Sequence, residues 1–130
     1  MANMKVSKHV EQNNLLDWTL LYERKYPVLG RIFAIPIGGH RHKTVAAKRG
    51  VPGLCLPYPM SGWNGLYLEI STATETVTKE QDDYIKFLRS VGFRAEVCRG
   101  WIAAADLIVE YLKLPDYVKP DISDEDNIST

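Results

Sequence analysis

Hydrophobic residues recur along this chain with two different spacings, which predict its helices and strands. From about Lys8 to Tyr26 the apolar positions have a roughly helical spacing, with Ser7 as the N-cap and Pro27 just beyond the end. The apolar positions of this segment are Val10, Leu15, Leu16, Trp18, Leu21 and Tyr22. An amphipathic first helix is therefore predicted, in which Trp18 anchors the core rather than stacking on a base.

Two short apolar runs, Gly50–Pro57 and Leu66–Ser71, have the composition of β-strands and are bounded by proline and glycine. The residues that join them, 58–65, are rich in turn formers, so the two runs are predicted to pair as a hairpin. This pairing brings Gly53 and Glu69 together at one end. Glu69 is the one carboxylate in an otherwise apolar strand.

The remaining segments alternate between the same two spacings. We predict strands at Arg31–Pro36 and Phe93–Arg99, a helical turn at Thr44–Lys48, a helix from Thr78 to Gly92, and a last helix at Trp101–Leu114. The predicted buried positions of the last two helices are Tyr84, Ile85, Phe87, Leu88, Val91, Ile102, Ala105, Ile108, Val109 and Leu112. The order αβββαβα predicts an α/β fold, a small mixed sheet flanked by helices.

The length of 130 residues and the apolar content of 45% predict a single domain, at 1–114, followed by an acidic and disordered tail at 115–130. The net charge is zero but unevenly spread, because residues 24–68 contain no Asp or Glu while the C-terminal end is acidic. A basic face offset by an acidic tail is expected. The tail is either solubilising or a competitor of DNA for that face.

Cys55 and Cys98 lie in apolar strand-like runs, which predicts buried and reduced thiols, with a disulfide or a reactive thiol as the alternative. No apolar stretch approaches the roughly 20 residues of a membrane span or has the layout of a signal peptide. A cytoplasmic protein of a phage or bacterial host cell is expected.

Several motifs in order resemble the virus-type replication-repair nuclease (VRR-NUC) domain of the PD-(D/E)XK nuclease superfamily. They are the segment 33–39, the hairpin with Gly50-Val51-Pro52-Gly53 and Glu69-Ile70-Ser71, Thr78 with Gln81, and 97–100 leading into the last helix. The resemblance extends from Ser7 to Leu114. It implies the PD-(D/E)XK restriction-endonuclease-like fold, cleavage of branched DNA with Mg²⁺ or Mn²⁺, and, for a small standalone member, a homodimer.

The resemblance also identifies the catalytic positions, several of which have changed. Gly53 stands at the aspartate position, Ser71 at the lysine position and Lys8 at the position of a glutamate in the first helix, while Glu69 and Gln81 are retained. Glu11 lies one helical turn from Lys8 and is a candidate substitute carboxylate. If the site is active, Glu69 and the Ile70 carbonyl are the expected metal ligands. Gln81 is otherwise an ordinary first-turn helix residue.

A basic, glycine-containing loop is the predicted DNA-binding segment, because glycine lets backbone amides approach a phosphate and basic side chains supply the countercharge. Its candidate residues are Gly38, Gly39, His40, Arg41, Lys43, Lys48 and Arg49. A solvated basic turn is the alternative interpretation. His40 and His42 as metal ligands would need a third partner.

Three functions follow from these observations. The first is a DNA-binding protein of the nuclease fold, for branched or structured DNA, whose cleavage activity is lost or impaired. The second is an active Mg²⁺- or Mn²⁺-dependent endonuclease, resembling a Holliday-junction resolvase, with migrated ligands. These would be Glu69, the Ile70 carbonyl and Glu11 or another carboxylate, with Lys43 or Lys8 in the lysine role. The third is a phage-borne protein that binds and inhibits a host nuclease or defence complex.

Overall fold

A computed structural model describes residues 7–36 and 49–119 of the chain. The elements follow in the order α1 (Lys8–Tyr22), β1 (Phe33–Ala34), β2 (Leu54–Leu56), β3 (Leu66–Ser71), α2 (Lys79–Ser90), β4 (Arg94–Arg99) and α3 (Trp101–Leu112), with a 3₁₀ turn at Pro27–Arg31 before β1. The predicted order αβββαβα is confirmed. Within the described ranges, no helix is both long enough and apolar enough to cross a membrane.

The four strands form one mixed sheet in the order β1-β2-β3-β4. The predicted hairpin is confirmed, because β2 pairs antiparallel with β3 with Cys55 opposite Tyr67. β3 and β4 are parallel, with Glu69 opposite Val97, and α2 is the crossover between them. This is the small mixed sheet with flanking helices that the sequence predicted.

Helices cover both faces of the sheet. The apolar side chains Leu66, Leu68 and Ile70 of β3 join the main core with α1 and α3. Tyr67 lies in a smaller cluster with Ile85 and Leu88 of α2. Since successive strand side chains alternate between faces, Glu69 and Ser71 point to the same side as Tyr67, toward α2.

The helix N-termini follow the capping signals in the sequence. Ser7 caps α1 by accepting a hydrogen bond from the N–H of Val10. Thr78 forms a capping box with Gln81 at the start of α2, in which each side chain accepts a hydrogen bond from the other residue's backbone N–H. These local contacts explain why the starts of both helices were predictable from sequence.

Several predicted boundaries are wrong. α1 ends at Tyr22 rather than Tyr26, because the chain turns there and Pro27 begins the 3₁₀ turn. The strand predicted at Arg31–Pro36 contains only Phe33–Ala34. The helical turn predicted at Thr44–Lys48 lies outside the described residues.

Some side chains predicted to be buried are exposed. Leu21 of α1 is 71% exposed and Phe87 of α2 is 52% exposed, and Val10 and Val91 are exposed as well. The two helices bury narrower stripes than the hydrophobic spacing indicated, since α2 covers the sheet mainly with Ile85 and Leu88. Trp18 is buried in the core, as predicted.

The packed chain continues past the predicted domain end at Leu114. The Tyr117 hydroxyl accepts a hydrogen bond from Trp18 Nε1 at 3.0 Å, and its ring packs edge-on against the indole with the centroids 6.0 Å apart. Tyr26 donates a hydrogen bond to the Pro115 carbonyl at 2.7 Å. Pro115 and Tyr117, which belong to the predicted tail at 115–130, therefore contact the core, and the disorder of the tail stays a prediction.

Candidate functional site

The centre of the site is the carboxylate of Glu69, a side chain that is buried although it is charged. Glu69 is 4% exposed. Its Oε1 accepts a hydrogen bond from the Gly53 N–H at 2.8 Å, and its Oε2 accepts one from Gln81 Nε2 at 3.4 Å. The hairpin and the first turn of α2 therefore meet at this carboxylate. The predicted proximity of Gly53 to Glu69 is confirmed.

The cation at this carboxylate is the side chain of Lys8, the first residue of α1. Lys8 Nζ lies 2.5 Å from Glu69 Oε2 and 3.8 Å from Glu75 Oε2. The Lys8 side chain is 38% exposed, whereas that of Glu69 is 6% exposed. A buried carboxylate needs a partner that offsets its loss of hydration, and here an ammonium group provides it.

Gly53 supplies no carboxylate at the position where the resemblance implies an aspartate. A Cβ atom built on Gly53 would lie 3.4 Å from Glu69 Oε1 and 3.1 Å from Gln12 Oε1. The position therefore faces the Glu69 carboxylate, where the aspartate implied by the resemblance would lie. Glycine contributes only its backbone N–H, which holds Glu69 and offers no ligand to a metal ion.

Ser71, at the position where the resemblance implies a lysine, takes part in a different network. Its buried hydroxyl donates to Glu75 Oε1 at 3.2 Å and accepts from Arg99 Nη1 at 3.2 Å. Arg99 also donates to the Thr72 carbonyl at 2.8 Å and to the Glu75 carbonyl. Arg99 thereby fixes the turn after β3, and the cation that reaches Glu69 comes from α1 instead.

Glu11, the candidate substitute carboxylate, has another partner. Its Oε1 accepts a hydrogen bond from the Trp101 N–H at 2.8 Å, at the first turn of α3. The residue before that helix is Gly100, with φ of 85° and no side chain to cap the helix. Glu11 lines a separate cleft with Arg99 and Gly100. The structure thus places it as a tertiary cap of α3, not beside Glu69.

Two clefts open beside the Lys8–Glu69 pair. One, of about 360 Å³, is lined by Lys8, His9, Gln12, Ile35, Gly53, Glu69 and Ile70. The other, of about 320 Å³, is lined by Lys8, Arg49, Gly50, Val51, Glu69, Thr78, Glu80 and Gln81. The structure therefore brings the exposed Arg49 to the same site as Glu69 and Gln81. The other predicted DNA-binding residues, Gly38, Gly39, His40, Arg41, Lys43 and Lys48, lie outside the described residues.

These residues do not fit a divalent metal ion. Mg²⁺ and Mn²⁺ need several oxygen ligands, usually including one or two carboxylates, arranged around one point. Glu69 already holds an ammonium group and two N–H donors. Among residues 7–36 and 49–119, no group of three or more His, Cys, Asp or Glu side chains is arranged to hold a metal. Ile70, the second predicted ligand, lines the cleft beside Glu69.

Sequence reasoning missed two participants, Glu75 and Arg99. Glu75 lies in the polar run between the predicted strand Leu66–Ser71 and the predicted helix that begins at Thr78, where no element is predicted. Arg99 belongs to the segment 97–100 that leads into the last helix. The available signal was their charge close to motif positions, since Glu75 follows Ser71 by four residues and Arg99 ends the neighbouring parallel strand. Only the pairing of β3 with β4 shows that they meet.

The whole fold is similar to that of a protein of known structure. That protein is a VRR_NUC domain protein, with a TM-score of 0.73 and 23% sequence identity, and the alignment covers 89% of this chain and 96% of that chain. No protein-family model and no curated protein matches the chain. The likeness therefore lies in the three-dimensional arrangement of the elements more than in the residues.

Proposed function

The chain has the fold of the VRR-NUC nuclease domain, and from this premise we propose that it binds branched or structured DNA and has lost efficient metal-dependent cleavage. The observation that carries the proposal is the ion pair between Lys8 and Glu69. An ammonium group contacts the one retained acidic motif residue at the point where a divalent ion would need that oxygen.

The loss of cleavage follows from the chemistry of phosphodiester hydrolysis. A metal-dependent nuclease needs clustered oxygen ligands for the ion and a group that orients or activates the attacking water. Gly53 supplies no carboxylate, the Ser71 hydroxyl is bonded to Glu75 and Arg99, and Glu11 is bonded to α3. The migrated-ligand endonuclease would need Glu11 or another carboxylate beside Glu69. The contact of Glu11 with Trp101 opposes the first choice, and Glu75, the other carboxylate near Glu69, is paired with Lys8.

DNA binding is supported by the charges around the clefts. His9 lines one cleft and the exposed Arg49 the other, whereas Lys8 is paired with Glu69. The other predicted DNA-binding residues, from Gly38 to Lys48, directly precede Arg49 in the chain. Basic side chains near a concave surface attract the phosphate backbone and release its counterions. Because the motifs resemble those of small phage-like members that act as homodimers, we propose that the protein is a homodimer. We also propose that it acts in the cytoplasm, of a phage or bacterial host cell.

The test combines cleavage and binding on labelled four-way-junction, flap and linear duplex DNA. Each DNA is incubated with Mg²⁺, with Mn²⁺ or with EDTA, and Glu69→Ala is run beside the unaltered chain. We expect no cleavage in any condition, and retardation in EDTA that is stronger for the branched DNAs. Binding should weaken steeply between 50 and 200 mM salt, since a protein that makes about six to ten phosphate contacts loses about 10³-fold or more in affinity over that range.

A matched pair of variants tests the position of the DNA. Arg49→Ala should weaken retardation and reduce the salt dependence by about one phosphate contact. Lys79→Ala, which removes an exposed lysine paired with Asp83 on α2, is the control and should change neither. Metal-dependent cleavage that Glu69→Ala abolishes would contradict the loss of catalysis. Absence of retardation at low salt would contradict DNA binding and favour a protein partner.

A further inference from the structure

Two acidic side chains from different segments converge on the ammonium group of Lys8. Glu69 comes from β3 and Glu75 from the turn that follows it, and Oε2 of each faces Lys8 Nζ, at 2.5 Å and 3.8 Å. Glu75 lies outside every motif that the sequence analysis used. The acidic surroundings of Lys8 therefore include a carboxylate that the motif positions do not supply.

Glu75 is held in this orientation by its neighbours. The Ser71 hydroxyl donates to its Oε1 at 3.2 Å, which leaves Oε2 toward Lys8. Arg99 fixes the backbone of the turn through the Thr72 and Glu75 carbonyls. The side chains of Lys8 and Glu75 are 38% and 40% exposed, so small ions can reach this pair from solvent.

We propose that Lys8 is the permanent cation of this acidic cleft, held by Glu69 and Glu75, and that it makes the protein indifferent to divalent metal ions. This inference rests on the proposed loss of metal-dependent chemistry and names the group responsible for it. A tethered ammonium group has no translational entropy to lose when it pairs with Glu69, whereas a free ion does. An ion that enters the cleft must also displace Lys8.

Removal of Lys8 should allow a divalent metal ion to bind between the two carboxylates. Glu69 would remain 4% exposed without a cation, which destabilises the folded chain. Glu69 and Glu75 would then face the space left by the ammonium group, and hard carboxylate oxygens favour Mn²⁺ or Mg²⁺ there. An ion that binds only the folded state raises its stability by mass action. The variant should therefore respond to a metal that the unaltered chain ignores.

The experiment measures the thermal unfolding midpoint of the full chain in EDTA and across a Mn²⁺ titration, with calorimetric titration of Mn²⁺ as a direct readout. Lys8→Ala should have a lower midpoint in EDTA, and Mn²⁺ at about ten times its dissociation constant should raise it by roughly 5 °C. The unaltered chain should show no rise. Lys8→Ala combined with Glu75→Gln should lose most of the response, because one of the two carboxylates is gone.

Lys79→Ala is the control for removing one positive charge, and its midpoint should ignore Mn²⁺. If Lys8→Ala does not fold, Lys8→Gln replaces it, since the neutral amide still donates to Glu69. Mn²⁺ binding by the unaltered chain, or a folded Lys8 variant that ignores Mn²⁺, would overturn the inference. DNA retardation in EDTA is measured on the same samples, so a failure here is distinguishable from a failure of the proposed DNA binding.

Discussion

Replacing Glu11 by alanine should destabilise the fold, because its carboxylate caps a helix that has no cap of its own. Oε1 of Glu11 accepts the Trp101 N–H at 2.8 Å across the contact between α1 and α3, and Gly100 has no side chain that can take its place. Trp101 is 6% exposed, whereas Glu11 and Gly100 line an open cleft at this helix terminus. The change thus removes a tertiary contact at the start of α3.

The size of the effect follows from two contributions. A hydrogen bond to a charged group contributes about 1.5–3 kcal/mol, and a negative charge at a helix N-terminus about 0.3–1 kcal/mol. Because Glu11 is partly exposed, water replaces some of the lost contact, and we expect a loss of about 2 kcal/mol. For a chain of this size the unfolding midpoint should fall by roughly 5–10 °C.

The assay is thermal and urea unfolding followed by circular dichroism, with two further variants. Glu11→Gln keeps an acceptor oxygen without the charge and should lose about half as much stability. Asp17→Ala removes an exposed carboxylate from the same helix and should change the free energy of unfolding by less than about 0.5 kcal/mol. If Glu11→Ala is no more destabilising than Asp17→Ala, Glu11 does not act as the cap of α3.

Three further predictions concern other parts of the molecule. Burial raises the pKa of the Cys98 thiol from 9.0 to about 11, so its contribution to stability should be lost as pH rises from 9 to 11. In a pH series of urea unfolding, Cys98→Ala should make the decrease smaller, because Cys55 and Tyr67, whose pKa values burial also raises, still contribute to it. Tyr117→Ala should lower the free energy of unfolding by about 2 kcal/mol in the same assay, because it removes the ring that packs on Trp18 and the hydroxyl that accepts the indole N–H. An unchanged free energy of unfolding would agree with the predicted end of the domain at Leu114. Thr78→Ala should cost about 1 kcal/mol by removing one half of the capping box with Gln81, and urea unfolding equal to that of the unaltered chain would contradict this.

The sequence alone was sufficient to predict the elements whose decisive contacts are local. The hairpin was predictable because two β-rich runs flank a turn-rich connection, and its register placed Gly53 beside Glu69. The start of α2 was predictable because Thr78 and Gln81 are three residues apart and cap each other. Motif residues in the right order led to the fold that the solved VRR_NUC domain protein shares.

The tertiary structure decided which charges meet. Lys8 reaches Glu69 across 61 positions of the chain, and Glu11 reaches the N–H of Trp101 across 90. No local period encodes such contacts, because they depend on how α1 lies against the sheet and α3. Exposure of Leu21 and Phe87 has the same origin, since hydrophobic spacing defines a helix face while neighbouring elements determine how much of it is covered. The sequence therefore led to the fold and to Glu69, and packing determined that a lysine from the first helix is the cation that contacts this carboxylate.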